Sequence, residues 1–138
     1  MSTKKILAVD DSPSMRHMVG VTLRAAGYEV IEAADGDEAL AYARSNAVDL
    51  VLADVNMPRM DGITLVAHLR ALPSYHLTPM LLLTTESSAQ SKQQGKRAGA
   101  TGWMVKPFHP DQLLSTLDRV LSGAIGPVTP AAADIRSR

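Results

Sequence analysis

No cysteine occurs among the 138 residues. Disulfide staples and thiolate metal sites are excluded, and the absence fits a reducing compartment. A dominant charge is missing too, since 14 Lys and Arg balance 14 Asp and Glu. A formal net charge of zero argues against nonspecific nucleic-acid binding through a basic surface. Long apolar runs are absent. The run from Ile6 to Val9 meets two acids at once, too early for a signal-peptide core, and no stretch approaches a membrane span. His17, His68, His76 and His109 lack metal-ligand spacing and read as surface or loop residues. No internal repeat is visible. We expect a soluble, cytoplasmic protein of one domain, a monomer with neither nucleic acid nor membrane as partner.

What is present organises around Leu50-Val51-Leu52-Ala53-Asp54-Val55-Asn56-Met57-Pro58-Arg59-Met60-Asp61-Gly62. A short apolar run ends at a lone carboxylate and a turn follows directly. The run reads as a strand buried on both faces, so Asp54 sits where it leaves the core. In open parallel sheets, ligand sites lie at the carboxyl ends of strands.

The other elements follow in order. Lys5 to Val9 is a first strand ending in Asp10-Asp11. Ser12 caps a helix that Pro13 opens and Gly27 stops. Glu29 to Ala33 is a second strand. Asp35 with Glu38 resembles a capping box for the next helix. After Gly62 a helix carries Leu65, Leu69 and Leu72 and ends at Pro73, and Ser74 to Thr78 reads as loop. Met80 to Leu83 is a fourth strand, ending at Thr84-Thr85-Glu86. Ser87 to Ala98 is polar almost all round, with Gly95 inside, which leaves it a loop or a marginal surface helix. Gly102 to Val105 is a fifth strand, ending at Lys106-Pro107. Pro110 opens a last helix with Leu113, Leu114, Leu117, Val120 and Leu121 facing inward, closed by Gly123. Five βα units predict an α/β fold, a doubly wound five-stranded parallel sheet of order 2-1-3-4-5 with five helices, flavodoxin-like. The predicted domain is 1–123, and 124–138 is expected to be a flexible tail.

That topology brings polar strand ends to one edge: Asp10, Asp11, Asp54, Thr84 and Lys106. Three carboxylates in one pocket repel each other and invite a divalent cation, and hard oxygen ligands suit Mg²⁺. A carboxylate can be a covalent nucleophile toward phosphorus. Lys106 would neutralise phosphoryl oxygens and Thr84 would donate a hydrogen bond to one.

With these motifs in place, the chain resembles the receiver domains of two-component signalling, those of the chemotaxis type above all. The resemblance rests on Val9-Asp10-Asp11, on Asp54 to Gly62, on Thr84-Thr85-Glu86 and on Val105-Lys106-Pro107-Phe108, and covers about Lys4 to Gly123. The sheet order is a known property of that family, so it is not an independent prediction. The resemblance implies that Asp54 accepts a phosphoryl group from a histidine kinase. It implies that Asp10, Asp11, Asp54 and the carbonyl of Asn56 hold Mg²⁺, and that Lys106-Pro107 is cis. Asn56 and Glu86 would flank the attacking water and tune self-dephosphorylation. Trp103, the only tryptophan, would be the switch aromatic, coupled to movement of Thr84, with one solvent-facing and one packed ring position. The helix after the fourth strand, the fifth strand and the last helix would form the signalling face.

Trp103 is larger than the tyrosine or phenylalanine usual there, and Ser87 to Ala98 is unusually polar. No output domain is expected after Gly123, so output is expected from docking onto a downstream protein, such as a flagellar motor switch. A phosphorelay shuttle or phosphate sink stays open. A hydrolase with an aspartyl-phosphate intermediate fits less well, because Asp10-Asp11-Ser12-Pro13-Ser14 lacks its second spaced acid. Arg59, in the turn after Asp54, reads as a solvated loop residue rather than a kinase or phosphate contact.

Overall fold

The computed structural model describes residues 3–85 and 89–123. Glu86 and the tail at 124–138, both assigned roles above, lie outside the described residues. Strands β1 (Lys5–Val9), β2 (Glu29–Ala33), β3 (Leu50–Asp54), β4 (Met80–Thr84) and β5 (Gly102–Val105) form one parallel sheet in the order 2-1-3-4-5. Helices α1 (Pro13–Ala25), α2 (Gly36–Ser45), α3 (Gly62–Arg70), α4 (Ala89–Ala98) and α5 (Pro110–Ser122) cover both faces. The doubly wound arrangement is the one expected from the alternation of strands and helices.

Side-chain alternation divides the core in two. Ile6, Ala8, Leu50, Leu52, Leu81 and Leu83 pack with Val19 and Leu23 of α1 and Leu113 and Leu117 of α5. Leu7, Val9, Val51, Ala53, Met80 and Leu82 point the other way, toward Ala39 and Leu40 of α2 and Leu65 and Leu69 of α3. This is the two-residue period of a strand, with both faces covered. Every residue of β3 and β4 is buried, which explains why those strands carry no polar face.

Local chemistry sets the helix ends. Ser12 accepts from the Met15 amide at 3.3 Å, Asp35 from that of Glu38 at 2.8 Å, and Asp61 from that of Thr64 at 2.7 Å. Each cap satisfies an amide that the first turn leaves without a helical partner. Past α1 and α5, Gly27 and Gly123 take φ values of 99° and 74°, which glycine adopts without steric cost.

Two sequence readings need correction, and one open alternative is settled. The polar stretch before Ala98, left between loop and marginal surface helix, is a regular helix, α4, over Ala89–Ala98. Gly95 is its only buried residue, and a Cβ there would sit 3.1 Å from Leu82 Cδ1, so the glycine lets the helix backbone approach the sheet. Periodicity could not decide for α4 because its buried face is backbone rather than apolar side chain. The stretch read as loop after Pro73 begins with a 3₁₀ turn, Pro73–Tyr75, and Tyr75 is wholly buried. Its hydroxyl donates to the Asn46 carbonyl at 2.5 Å, which satisfies the polar end of an otherwise apolar ring. On α5, Leu113, Leu117 and Val120 are buried as expected, whereas Leu114 and Leu121 are half-buried at its margin. Among the described residues no helix is long and apolar enough to cross a membrane.

Candidate functional site

Strand register decides which polar residues meet. Val9 lies opposite Ala53, so Asp10 and Asp54 are the next residues out on neighbouring strands. Asp54 pairs with Leu83, and Thr84 with Val105, which brings Thr84 and then Lys106 to the same carboxyl edge. The stagger turns separate strand ends into one cluster. Asp10, Asp11 and Asp54 each offer a carboxylate oxygen, and these oxygens lie within 4.8 Å of one another. Asp10 and Asp54 are buried, while Asp11 is exposed.

Lys106 Nζ reaches Asp54 Oδ1 at 2.9 Å and lies 3.7 Å from Asp10 Oδ2. The Lys106 amide donates to the Thr84 carbonyl at 2.7 Å, and the Lys106-Pro107 bond is cis. Burial is the main reason that the Asp54 carboxyl is pushed above its ordinary value. The hydrogen bond and charge of Lys106 pull it back down, and Asp10 and Asp11 push it up again. One lysine thus faces three acids. Asp10 Oδ2 is buried and has no hydrogen-bond donor among the described residues. A buried carboxylate oxygen without a donor, beside two more carboxylates, is a donor set that fits a hard divalent cation.

Other candidates take distinct places. Thr84 is buried at the end of β4, and Asn56 is exposed in the loop after β3. Trp103 is 7% exposed, so the ring occupies the packed rather than the solvent-facing position. It lines a small, mainly apolar pocket with Val55, Ile63, Leu82, Thr84 and Lys92. Lys92 Nζ of α4 lies 6.0 Å from the ring centroid, at the outer reach of a cation–π contact. Trp103 and Thr84 therefore share one cavity wall.

Arg59 is exposed but not merely solvated. It pairs with Asp35 at 3.1 Å and Asp37 at 3.8 Å, tying the loop after β3 to the start of α2. Its φ of 67° is unusual for a residue with a side chain. Sequence reasoning also passed over Arg16, which donates to the Asp10 carbonyl at 2.6 Å. Its place early in a helix that starts beside Asp10-Asp11 was the available signal.

Gly62 holds the loop against the backbone of Asp54. A Cβ there would overlap the Asp54 carbonyl oxygen and lie 3.1 Å from Leu82 Cδ2. Backbone cannot swing aside as a side chain can, so Gly62→Ala is expected to lower stability by about 1–3 kcal/mol, the usual cost of overpacking. Denaturant melts check this, and a midpoint equal to wild type would show that the loop relaxes freely.

A family model described as the response regulator receiver domain matches residues 6–118. The structure is similar to that of the chemotaxis response regulator CheY4 of Vibrio cholerae. The two share 55% identity with a TM-score of 0.84, over 86% of this chain and 99% of that one. It is also similar to the receiver domain of the sensor histidine kinase PA1611 from Pseudomonas aeruginosa, at 28% identity and a TM-score of 0.81, over 88% of this chain and 99% of that one. That structure holds a magnesium ion in its active-site cleft. Protein PilH of Pseudomonas aeruginosa is 34% identical over 119 residues, 86% of this chain and 98% of PilH. Several longer curated relatives are spanned over about half their length or less. The acids at the ends of β1 and β3, the lysine after β5 and the match over residues 6–118 agree: the chain belongs to the response regulator receiver family.

Proposed function

We propose that the chain is a phosphorylation-dependent switch in two-component signalling, with Asp54 as phosphoacceptor and a histidine kinase as donor. The observation that carries the reading is the 2.9 Å pair of Asp54 with Lys106 inside a cluster of three acids. Asp10, Asp11, Asp54 and the carbonyl of Asn56 would hold Mg²⁺. The ion would supply positive charge to the phosphoryl oxygens during transfer.

The chain's own residues do the rest. An Asp54 carboxylate oxygen attacks phosphorus, a P–O bond forms, and the P–N bond to the kinase histidine breaks with the electron pair leaving on nitrogen. Burial leaves the Asp54 carboxylate poorly solvated, so less water must be stripped from it before attack. Lys106 already stands against Oδ1 and balances the charge arriving with the phosphoryl group. Thr84 donates its hydroxyl to a phosphoryl oxygen. That movement alters the cavity wall it shares with Trp103, and the signal passes to α4, β5 and α5 as a shift between existing arrangements.

Output is docking onto another protein. The 55% identity with a chemotaxis response regulator supports chemotaxis, with a flagellar motor switch as the target class. The protein acts in the cytoplasm, as a monomer, and turns over no substrate other than its own phosphoryl group. A shuttle or phosphate sink would use the same chemistry without a docking partner.

A chemotaxis switch needs a phosphoryl group that does not persist. Asn56 is exposed beside Asp54, where a polar side chain can orient water, and the resemblance gives Glu86 a matching role. After donor removal, Asn56→Leu and Glu86→Leu are expected to lose their phosphoryl group several-fold more slowly than wild type. Decay as fast or faster in both variants would count against the tuning role. Capture of a motor-switch protein by the beryllofluoride form, but not the free form, separates docking from a relay or sink.

A further inference from the structure

Asp10 is held at nearly every polar atom. Its amide donates to the Ala33 carbonyl at 3.1 Å, and its Oδ1 accepts the Ser12 amide at 2.9 Å. Its carbonyl, where β1 ends, accepts Arg16 Nη1 at 2.6 Å. Only Oδ2 is left without a donor among the described residues, and it faces the acid cluster. The carbonyl of Asp10 and the amide of Asp11 belong to one rigid peptide plane. Whatever fixes that carbonyl fixes the direction in which both acidic side chains leave the chain.

Packing does not fix it alone. A small cavity lies beside the plane, lined by Asp10, Arg16, Val19, Leu52 and Leu83 among others. The arginine is itself anchored. Its Nε is 3.6 Å from Glu32 Oε1, and Arg24 Nη1 holds Glu32 Oε2 at 2.8 Å. Arg24 also donates to the Val30 carbonyl at 3.1 Å. Room for this chain of charges depends on Gly20, where a Cβ would come within 2.8 Å of Glu32 Oε2 and 2.9 Å of Arg24 Nη1. The Arg16 side chain is 20% exposed, so its pairing is better shielded from water than a surface ion pair.

We infer that Arg16, braced by Glu32 and Arg24, is a positioning residue that sets the orientation of the Asp10-Asp11 peptide plane for divalent-cation binding. It touches neither the cation nor the phosphoryl group. The inference rests on the proposed role of Asp10 and Asp11 as Mg²⁺ ligands. Partners that orient metal ligands typically account for about 10–100-fold in metal affinity.

Charge alone predicts the opposite sign, because deleting a cation from the neighbourhood should tighten Mg²⁺ binding. Calorimetric titration of Mg²⁺ into wild type, Arg16→Met and Arg16→Lys separates the two. Methionine keeps much of the apolar stem without donors, and lysine keeps the charge but not the planar fork. Thermal melts first define a temperature at which all three are folded. Expected is a Kd weakened by about 10-fold or more in Arg16→Met and by less in Arg16→Lys. Unchanged or tighter binding by Arg16→Met overturns the inference. Should Arg16→Met fail to fold, Arg16→Lys decides: weaker binding than wild type supports positioning, and equal binding overturns it. Absence of Mg²⁺ binding by wild type overturns the metal-site reading itself, and is distinguishable because it precedes any comparison with a variant.

Discussion

Incubated with acetyl phosphate and Mg²⁺, wild type is expected to gain one phosphoryl adduct by intact mass, and Asp54→Asn none. The amide has nearly the shape of the carboxylate, so the site should still assemble, but its oxygen is neutral and a poor nucleophile. Asp10 and Asp11 stand within the same cluster and are also carboxylates, which makes the experiment a real choice between three acids. Asp54 is favoured because Lys106 Nζ is ion-paired with its Oδ1 at 2.9 Å, while Asp10 Oδ2 is 3.7 Å away and Asp11 is exposed. A full adduct on Asp54→Asn would move the acceptor to a neighbour. Lys106→Met tests the other half of the pair. It keeps the nucleophile but removes the charge that meets the incoming phosphoryl oxygens, and adduct formation should slow by about 100-fold or more.

The second large effect is thermal. Three carboxylates against one lysine leave an excess of negative charge around two buried acids, and burial raises the Asp54 carboxyl above its ordinary value. The sign follows from linkage. A carboxyl that holds its proton more tightly when folded contributes its full stability below the unfolded value, near pH 3.9, and loses that contribution as pH rises through the folded value. Above the folded value and without Mg²⁺ the ionised Asp54 therefore costs stability, and Asp54→Asn should melt above wild type. That difference should shrink as pH falls toward the unfolded value. Mg²⁺ reverses the balance for wild type. A ligand that binds only the folded chain adds about 2.7 kcal/mol at one hundred times its Kd. For a domain of this size that is roughly 10 °C in Tm. Melts at constant ionic strength, with Asp11→Ala alongside, check the assignment. Equal Mg²⁺ shifts in wild type and Asp11→Ala would place the cation elsewhere.

The sheet and the acid cluster were legible in the sequence for a plain reason. Strands buried on both faces must be apolar throughout, so Asp10, Asp54 and Lys106 stand out where those runs stop. Convergence of the three then follows from strand order. Two helix caps were equally legible, since Ser12 and Asp35 each act within three residues of themselves. The hidden parts depend on distant partners. Tyr75 is buried because it meets Asn46, 29 positions earlier, which no local pattern announces. Arg59 finds Asp35 and Asp37 at the start of α2, Asp35 being 24 positions earlier. Arg16 is concealed differently: an arginine on the first turns of a helix looks like ordinary surface charge until a strand-end carbonyl is seen beneath it.

Gly95 carries a thermodynamic consequence. Helix α4 presses a bare patch of backbone against Leu82 and buries no large side chain of its own. Lifting it from the sheet would expose little apolar surface belonging to the helix, so the penalty that keeps α1, α3 and α5 seated is small there. Local opening is accordingly expected to cost less at α4 than at α1, α3 or α5, five residues past the carboxyl end of β4. A given free-energy change at that strand end should shift this helix further than a leucine-anchored one.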